Sequence, residues 1–206
     1  MLRRDDPQYR DTIIAYALKL FHNKGIKEIT MSQIAEDLHI SKRTLYEIYL
    51  SKERLVLDCL KQKQEQNRLQ MEEAVKESAN VLEGILRVFR LKLNESHHIN
   101  PVFVAQLQDY PAARKYFAEQ HERQRQEAVA FLVRGIEEGV FLPETDFEIV
   151  YDMTAMMVEN VFALHLIEKH TMAHVFSNTI LRYIRGCSTE KGIAIIDAWI
   201  SNNKTF

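Results

Sequence analysis

Apolar residues recur at the spacing of an α-helix almost from one end of this chain to the other, and little interrupts them. Between Gln8 and Lys24, the residues Ile13, Ile14, Ala17, Leu18 and Phe21 form one stripe at helical spacing, and Gly25 follows as a stop. Glycine and proline, the residues that break helices, number only 6 and 4 in 206. No segment sustains the two-residue alternation of a half-buried strand. The pattern predicts an all-α chain of about nine to ten helices.

An apolar fraction of 46% with 27% charged residues is that of a globular protein, neither a disordered tail nor a membrane span. No run approaches the length of a transmembrane helix, and the opening "MLRRDDPQYR" lacks the apolar stretch of a signal peptide. Cys59 and Cys187 are far apart and show neither CxxC nor Cys/His zinc spacing, which fits reduced thiols in a cytoplasm. Net charge is −2, but residues 1–61 hold 11 Lys+Arg against 9 Asp+Glu, so the balance is mildly basic at the N-terminal end. That asymmetry permits a nucleic-acid partner there without demonstrating one.

In "TMSQIAEDL", Thr30 and Gln33 have capping-box spacing, so a second helix starts at Thr30 and buries Ile34, Ala35 and Leu38. His39-Ile40 forms a corner, Ser41 caps a third helix ending near Tyr49, and Ser51 caps a fourth. Two short helices about three residues apart have the dimensions of a helix-turn-helix, whose second helix enters the DNA major groove. The third helix opens on Lys42 and Arg43, and the fourth on Lys52, where the backbone dipole disfavours cations. External phosphates would neutralise them, and two such starts could hold neighbouring phosphates of one strand. On charge alone the opposing account stands: exposed cations at a helix start cost only a few tenths of a kcal/mol and signify nothing.

The stretch from Ile13 to Leu60 resembles the DNA-binding domain of the TetR/AcrR family of transcriptional regulators. The resemblance rests on Leu20, Phe21, Gly25, Thr30, Ile34, Ala35, Ser41, Thr44, Leu45, Tyr46, Ser51, Lys52, Glu53 and Leu55. It covers about the first quarter of the chain, and the remainder is compatible in length and helicity. Two positions depart from the pattern: His39 stands where the corner commonly holds Gly, and Arg43 where Gly is also frequent. His39 must take a positive φ or use another corner geometry. Arg43 could add a base contact, since Arg pairs bidentately with guanine.

The resemblance implies residues 1–60 as a three-helix DNA-binding domain and 61–206 as a helical effector-binding and dimerisation domain. It implies a ligand-responsive repressor that binds a palindromic double-stranded operator as a homodimer. The rival reading is a helix-turn-helix DNA-binding protein or adaptor without ligand control. By resemblance Thr44 and Tyr46 are recognition-helix contacts and Lys52 a phosphate clamp, while Lys42 and Arg43 are assigned from their position. Thr30, Ser32 and Gln33 at the second helix start, and the cap Ser41, complete the DNA-binding set. Tyr46 is weighed against a core position, for which Leu45 is better suited because adjacent helical residues face apart.

Further along, "FEIVYDMTAMMVENVFALHLIEKH" is apolar on two sides: Val150, Met153, Met157, Val161 and Leu164 make one stripe. Ala155, Val158, Phe162 and Leu166 make another, and the next helix continues with Met172, Val175, Phe176, Thr179, Ile180, Tyr183 and Ile184. In the family the last two long helices pair with their copies. The resemblance therefore points to Ala155, Val158, Phe162, Leu166, Val175, Phe176, Thr179, Ile180 and Tyr183 as the dimer interface, against a central place in a monomeric core. A final amphipathic piece spans Thr189–Ile200. Family members bind a small effector between the middle helices, which makes Phe89, Phe103, Gln106, Tyr110, Phe117, His121, Phe131, Met153 and Met157 candidate pocket walls. Aromatic and Met stripes at this spacing are equally the makings of plain core.

His165, Glu168, His170 and His174 approach a metal-ligand spacing, but no HExxH pattern exists and a helix junction commonly carries solvated histidines. No metal and no cofactor are expected. His97-His98 falls in an expected loop. No GxSxG, P-loop or GxGxxG occurs, so an enzyme is not expected.

Overall fold

The computed structural model describes residues 7–96, 100–164, 166 and 169–202, for 7, 8, 95, 96, 101, 104, 159, 162 and 163 the backbone alone. These residues form eleven helices and no strand. In chain order they are α1 (Pro7–Lys24), α2 (Met31–Asp37), α3 (Lys42–Ile48), α4 (Lys52–Lys76), α5 (Val81–Ser96), α6 (Pro101–Leu107), α7 (Pro111–Glu137), α8 (Phe147–Ala163), α9 (Met172–Asn178), α10 (Ile180–Gly186) and α11 (Glu190–Asn202). By packing the chain divides into two compact units, Met1–Leu69 with His98–Gln120, and Gln70–His97 with His121–Phe206. The division by role expected at residue 60 is a different partition. The packing adds a later stretch of chain to the N-terminal helices.

In the first unit every early helix starts or stops on a side chain legible in the sequence. Gly25 ends α1 at φ 82°, its N–H bonding Phe21 O at 2.8 Å. A Cβ there would also meet Gln106 and Val102 at 3.0 and 3.1 Å, so a side chain would be both strained and crowded. Thr30 Oγ1 accepts the Gln33 N–H at 3.1 Å, and Ser41 Oγ accepts the Thr44 N–H at 3.0 Å. Ser51 Oγ accepts the Arg54 N–H at 3.2 Å.

Ile13, Ala17, Phe21, Ile26, Ile29, Ile34, Leu45, Tyr49, Leu55, Val56 and Cys59 are buried in one core. That core is not completed by the first sixty residues. Phe103 and Leu107 of α6 and Ala113 of α7 are buried in it as well, and burying Phe103 alone stabilises by roughly 2 kcal/mol. Polar contacts fix the same docking. Asn100 caps α6 by accepting the Val102 N–H at 2.9 Å and donates to His22 O at 2.7 Å. Gln106 Oε1 accepts the Lys27 N–H at 3.0 Å. Glu53 of α4 accepts the Ala112 N–H in the first turn of α7 at 3.2 Å.

The second unit closes around Val81, Leu82, Leu86, Val140, Phe141, Phe147, Phe176, Ile180, Leu181 and Ile196. The continuous helix expected over Met172–Ile184 is interrupted at Thr179, whose φ of −120° and ψ of −87° leave the helical region. The Thr179 hydroxyl donates to Val175 O at 2.8 Å, so it competes for a carbonyl of the helical ladder. The final amphipathic piece forms α11, with Thr189 Oγ1 accepting the Gly192 N–H at 3.2 Å. Thr189 N–H and Leu142 N–H bond Val140 O and Cys187 O at 3.1 and 2.9 Å. These bonds clip the turn before α8 to the turn before α11, and Gly192 is forced there because a Cβ would stand 2.2 Å from Val140 O.

Candidate nucleic-acid interface

The turn between α2 and α3 is closed by His39 N–H to Glu36 O at 3.0 Å and Ile40 N–H to Ala35 O at 2.9 Å. His39 takes φ 55°, the one positive-φ non-glycine residue among those described. Of the two geometries open to it in the sequence, the structure adopts the left-handed one.

On α3 the inward side is Leu45, fully buried, with Thr44 and the following Tyr49. Thr44, expected to offer its hydroxyl to DNA, is turned inward. Its Oγ1 lies 2.7 Å from Ser41 Oγ, so the hydroxyl is engaged in the cap. The outward side consists of Lys42, Arg43, Tyr46 and Glu47, all exposed. These four make two pairs at i,i+4 spacing. Lys42 Nζ stands 6.0 Å from the Tyr46 ring centroid, and Arg43 Nε donates to Glu47 Oε1 at 2.9 Å. Tyr46 is 40% exposed, so it is surface and not core.

Thr30 and Ser32 are exposed and Gln33 half-buried at the start of α2. Lys52 is half-buried at the start of α4, and this burial lowers its ammonium pKa against a smaller opposing pull from Glu28. Leu50, between α3 and α4, is 86% exposed and was not singled out in the sequence. Glu47 was not singled out either, although its position four residues after Arg43 was the available signal. Beneath this surface Tyr49 is buried with Arg10 5.8 Å over its ring, and burial pushes its phenol well above the usual range.

Residues 13–59 match the family model described as bacterial regulatory proteins, tetR family. The N-terminal helices carry the signature of that family. The HTH-type transcriptional repressor KstR2 of Mycobacterium tuberculosis is 28% identical over 147 residues, which span 69% of this chain and 74% of that repressor. The solved structure of the ketosteroid transcriptional regulator KstR2 of Mycobacterium tuberculosis covers 92% of this chain and 100% of its own, at TM-score 0.60 and 22% identity. A TetR family regulator from Cytophaga hutchinsonii covers 92% and 99%, at TM-score 0.75 and 19% identity. At those identities the structural likeness shows the fold. The family match and the repressor relatives support a DNA-binding transcriptional regulator, with α2–α3 within the matched segment.

The remaining expected sites fall as follows. Among the pocket residues, Phe103 is buried in the first core, where its ring stacks on His22 at 4.6 Å. Gln106 holds Lys27, and Tyr110 and Phe117 pack on that same core. Phe89, Phe131 and Met157 pack on the second core, where Phe89 lies 4.0 Å from Phe176. His121 and Met153 are exposed, with the His121 ring 6.0 Å from Tyr151. All nine thus have packing or surface positions, four in one unit and five in the other.

Among the interface residues, Val175, Phe176 and Ile180 are buried, the latter two in the second core. Tyr183 packs on the same core and Thr179 forms the break between α9 and α10. Ala155 and Leu166 are half-buried and Val158 is exposed, while the side chain of Phe162 lies outside the described residues. Besides Val158, the apolar positions turned to solvent are Ile149, Met153 and Met156 of α8 and Leu164 just past its end, between 42% and 64% exposed. Ile149, Met153 and Met156 recur at four- and three-residue steps, one stripe of a helix. His170 and His174 have ring centroids 5.6 Å apart. His97, His98, His165 and Glu168 lie outside the described residues. No helix among the described residues is long and apolar enough to cross a membrane.

Proposed function

We propose that this protein is a repressor that grips a palindromic DNA operator as a homodimer and is released by a small-molecule effector. The observation that carries the DNA reading is the outward face of α3, where Lys42, Arg43 and Tyr46 stand exposed over a fully buried Leu45. Arg43 and Tyr46 reach base edges in the major groove, and Lys42 with Lys52 of α4 meets phosphates. Ser41, Thr30, Ser32 and Gln33 place backbone N–H groups and hydroxyls beside the same strand. Thr44 serves this face from beneath, by fixing Ser41.

A single head of this size binds DNA weakly, so two copies related by a two-fold axis read half-sites a helical turn or its multiple apart. The exposed apolar positions Ile149, Met153 and Met156 on α8, with Leu164 just past its end, support a second copy as their cover. The effector is a small, largely apolar molecule. The description of the relative KstR2 as a ketosteroid regulator supports that class.

The test is duplex binding by the full-length dimer, using an operator selected from a random pool. The Lys42→Glu, Arg43→Glu double variant should lose operator binding while helicity and dimerisation persist; unchanged affinity refutes the groove assignment. Release of the operator on adding cell extract supports effector control, and undiminished binding in every extract favours the ligand-free reading.

A further inference from the structure

On the face of α3 that the proposed function turns toward DNA, three of the four side chains suit a polyanion and one opposes it. Glu47 is a carboxylate among Lys42, Arg43 and Tyr46, at the place where every duplex brings negative charge. A surface that only needed affinity would not hold it there. Its contact is specific: Arg43 Nε donates to Glu47 Oε1 at 2.9 Å, with Arg43 87% and Glu47 42% exposed. An exposed pair of this kind adds little to folding stability, so stability is a poor reason for it.

The geometry of the guanidinium supplies a better one. Arg carries five N–H donors in a rigid planar fork, and the Glu47 bond takes the single donor on Nε. Holding Nε fixes the plane of the fork. The two terminal nitrogens, with four N–H groups, have no partner among the described residues and lie on the edge that pairs bidentately with O6 and N7 of guanine. Lys42 and Tyr46 repeat the arrangement one position earlier, a cation again steadied by the residue four further on.

We infer that Glu47 is a positioning residue that holds Arg43 for guanine and sets base specificity, lowering affinity for every other duplex. Resting on the DNA-binding reading above, the inference adds a division of labour. Unbuttressed, the Arg43 side chain can swing to the nearest phosphate, which every sequence offers equally. With Glu47 in place that alternative brings a carboxylate toward the phosphates and is disfavoured. A matched guanine loses nothing by the pairing, because it uses donors that Glu47 leaves untouched.

The test compares full-length wild type, Glu47→Gln, Arg43→Ala and the double variant. Each is titrated with the selected operator, with operators changed singly at each guanine of the half-site, and with an unrelated duplex at one salt concentration. Glu47→Gln should reduce the discrimination at one guanine position by about tenfold while tightening binding to the unrelated duplex. In the Arg43→Ala background Glu47→Gln should leave base preference unchanged. Thermal melts of the exposed-site variants check that folding is retained. The inference is overturned if Glu47→Gln keeps the guanine preference, or weakens all duplexes by one common factor. It falls together with the DNA-binding reading if wild type itself shows no sequence-specific binding. It falls alone if wild type is specific, the Lys42→Glu, Arg43→Glu variant is dead, and Glu47→Gln discriminates as wild type does.

Discussion

His39 holds a left-handed backbone with φ 55° at the corner on which the placing of α3 depends. A side chain there is strained, and the corner's two hydrogen bonds, from His39 and Ile40, hold it in place. His39→Gly should therefore raise stability by roughly 0.5–1 kcal/mol, partly offset by the freer unfolded chain. The urea midpoint would move up with unchanged slope, and a fall would show that the imidazole makes a contact worth more than the strain. Ser41 works in the opposite direction. Its Oγ accepts the Thr44 N–H and pairs with the Thr44 hydroxyl, so Ser41→Ala removes both contacts at once. The expected loss is about 1–2 kcal/mol, read from the same denaturation curve.

Between helices, short-range chemistry and long-range docking separate clearly. Asn80 and Glu83 form a capping pair at the start of α5: Asn80 Oδ1 accepts the Glu83 N–H at 2.9 Å, and Glu83 Oε2 accepts the Ala79 N–H at 2.9 Å. The Ala79 N–H, and after it Arg87, hold the Glu83 carboxyl below the usual carboxylate range. A pKa lowered by folding stabilises the native state above the ordinary glutamate range, and the benefit disappears as pH falls through the lowered value. Glu83→Gln should thus cost about 1 kcal/mol at neutral pH and flatten the acid limb of a stability–pH profile; an unaltered limb would place the acid sensitivity elsewhere.

Docking of α6 is decided by a buried-side hydrogen bond and not by charge. Asn100→Ala removes both a cap and the bond to His22 O and should destabilise by about 1–2 kcal/mol. Asp109→Asn breaks an ion pair with Lys27 whose side chains are both more than half exposed, and should change stability by less than about 1 kcal/mol. Both are read by thermal melting. Equal effects would mean that the surface pair anchors this segment as firmly as the cap does.

For the molecule as a whole, the apolar stripe on α8 is what a lone chain leaves unexplained. Ile149 and Met156 carry no role in either core, yet both are more than half exposed. If a second copy covers them, Ile149→Glu with Met156→Glu places like charges on both sides of a two-fold interface. Sedimentation should then show monomers at micromolar concentration, and operator affinity should fall by at least about a hundredfold, since each head alone binds weakly. A dimer that survives both charges would move the interface to another surface.

Sequence alone determined the early helices and their ends, though not the break at Thr179, because those ends depend on neighbours within four residues. Thr30, Ser41, Ser51 and Gly25 stop or start helices through bonds to their own turn, and the apolar spacing of Ile13, Ala17 and Phe21 names a buried face without naming its partner. The Lys42–Arg43 helix start was legible for the same local reason. Only tertiary structure decided which side chains of α3 look outward, that Thr44 turns in, and that Phe103 and Gln106 of α6 serve the core under the helix-turn-helix. It likewise decided that Phe176 and Ile180 are buried in the second core while Ile149, Met153 and Met156 of α8 stand exposed. Periodicity gives each helix an apolar side, but which neighbour covers it depends on contacts far apart in the chain, and no local pattern encodes them.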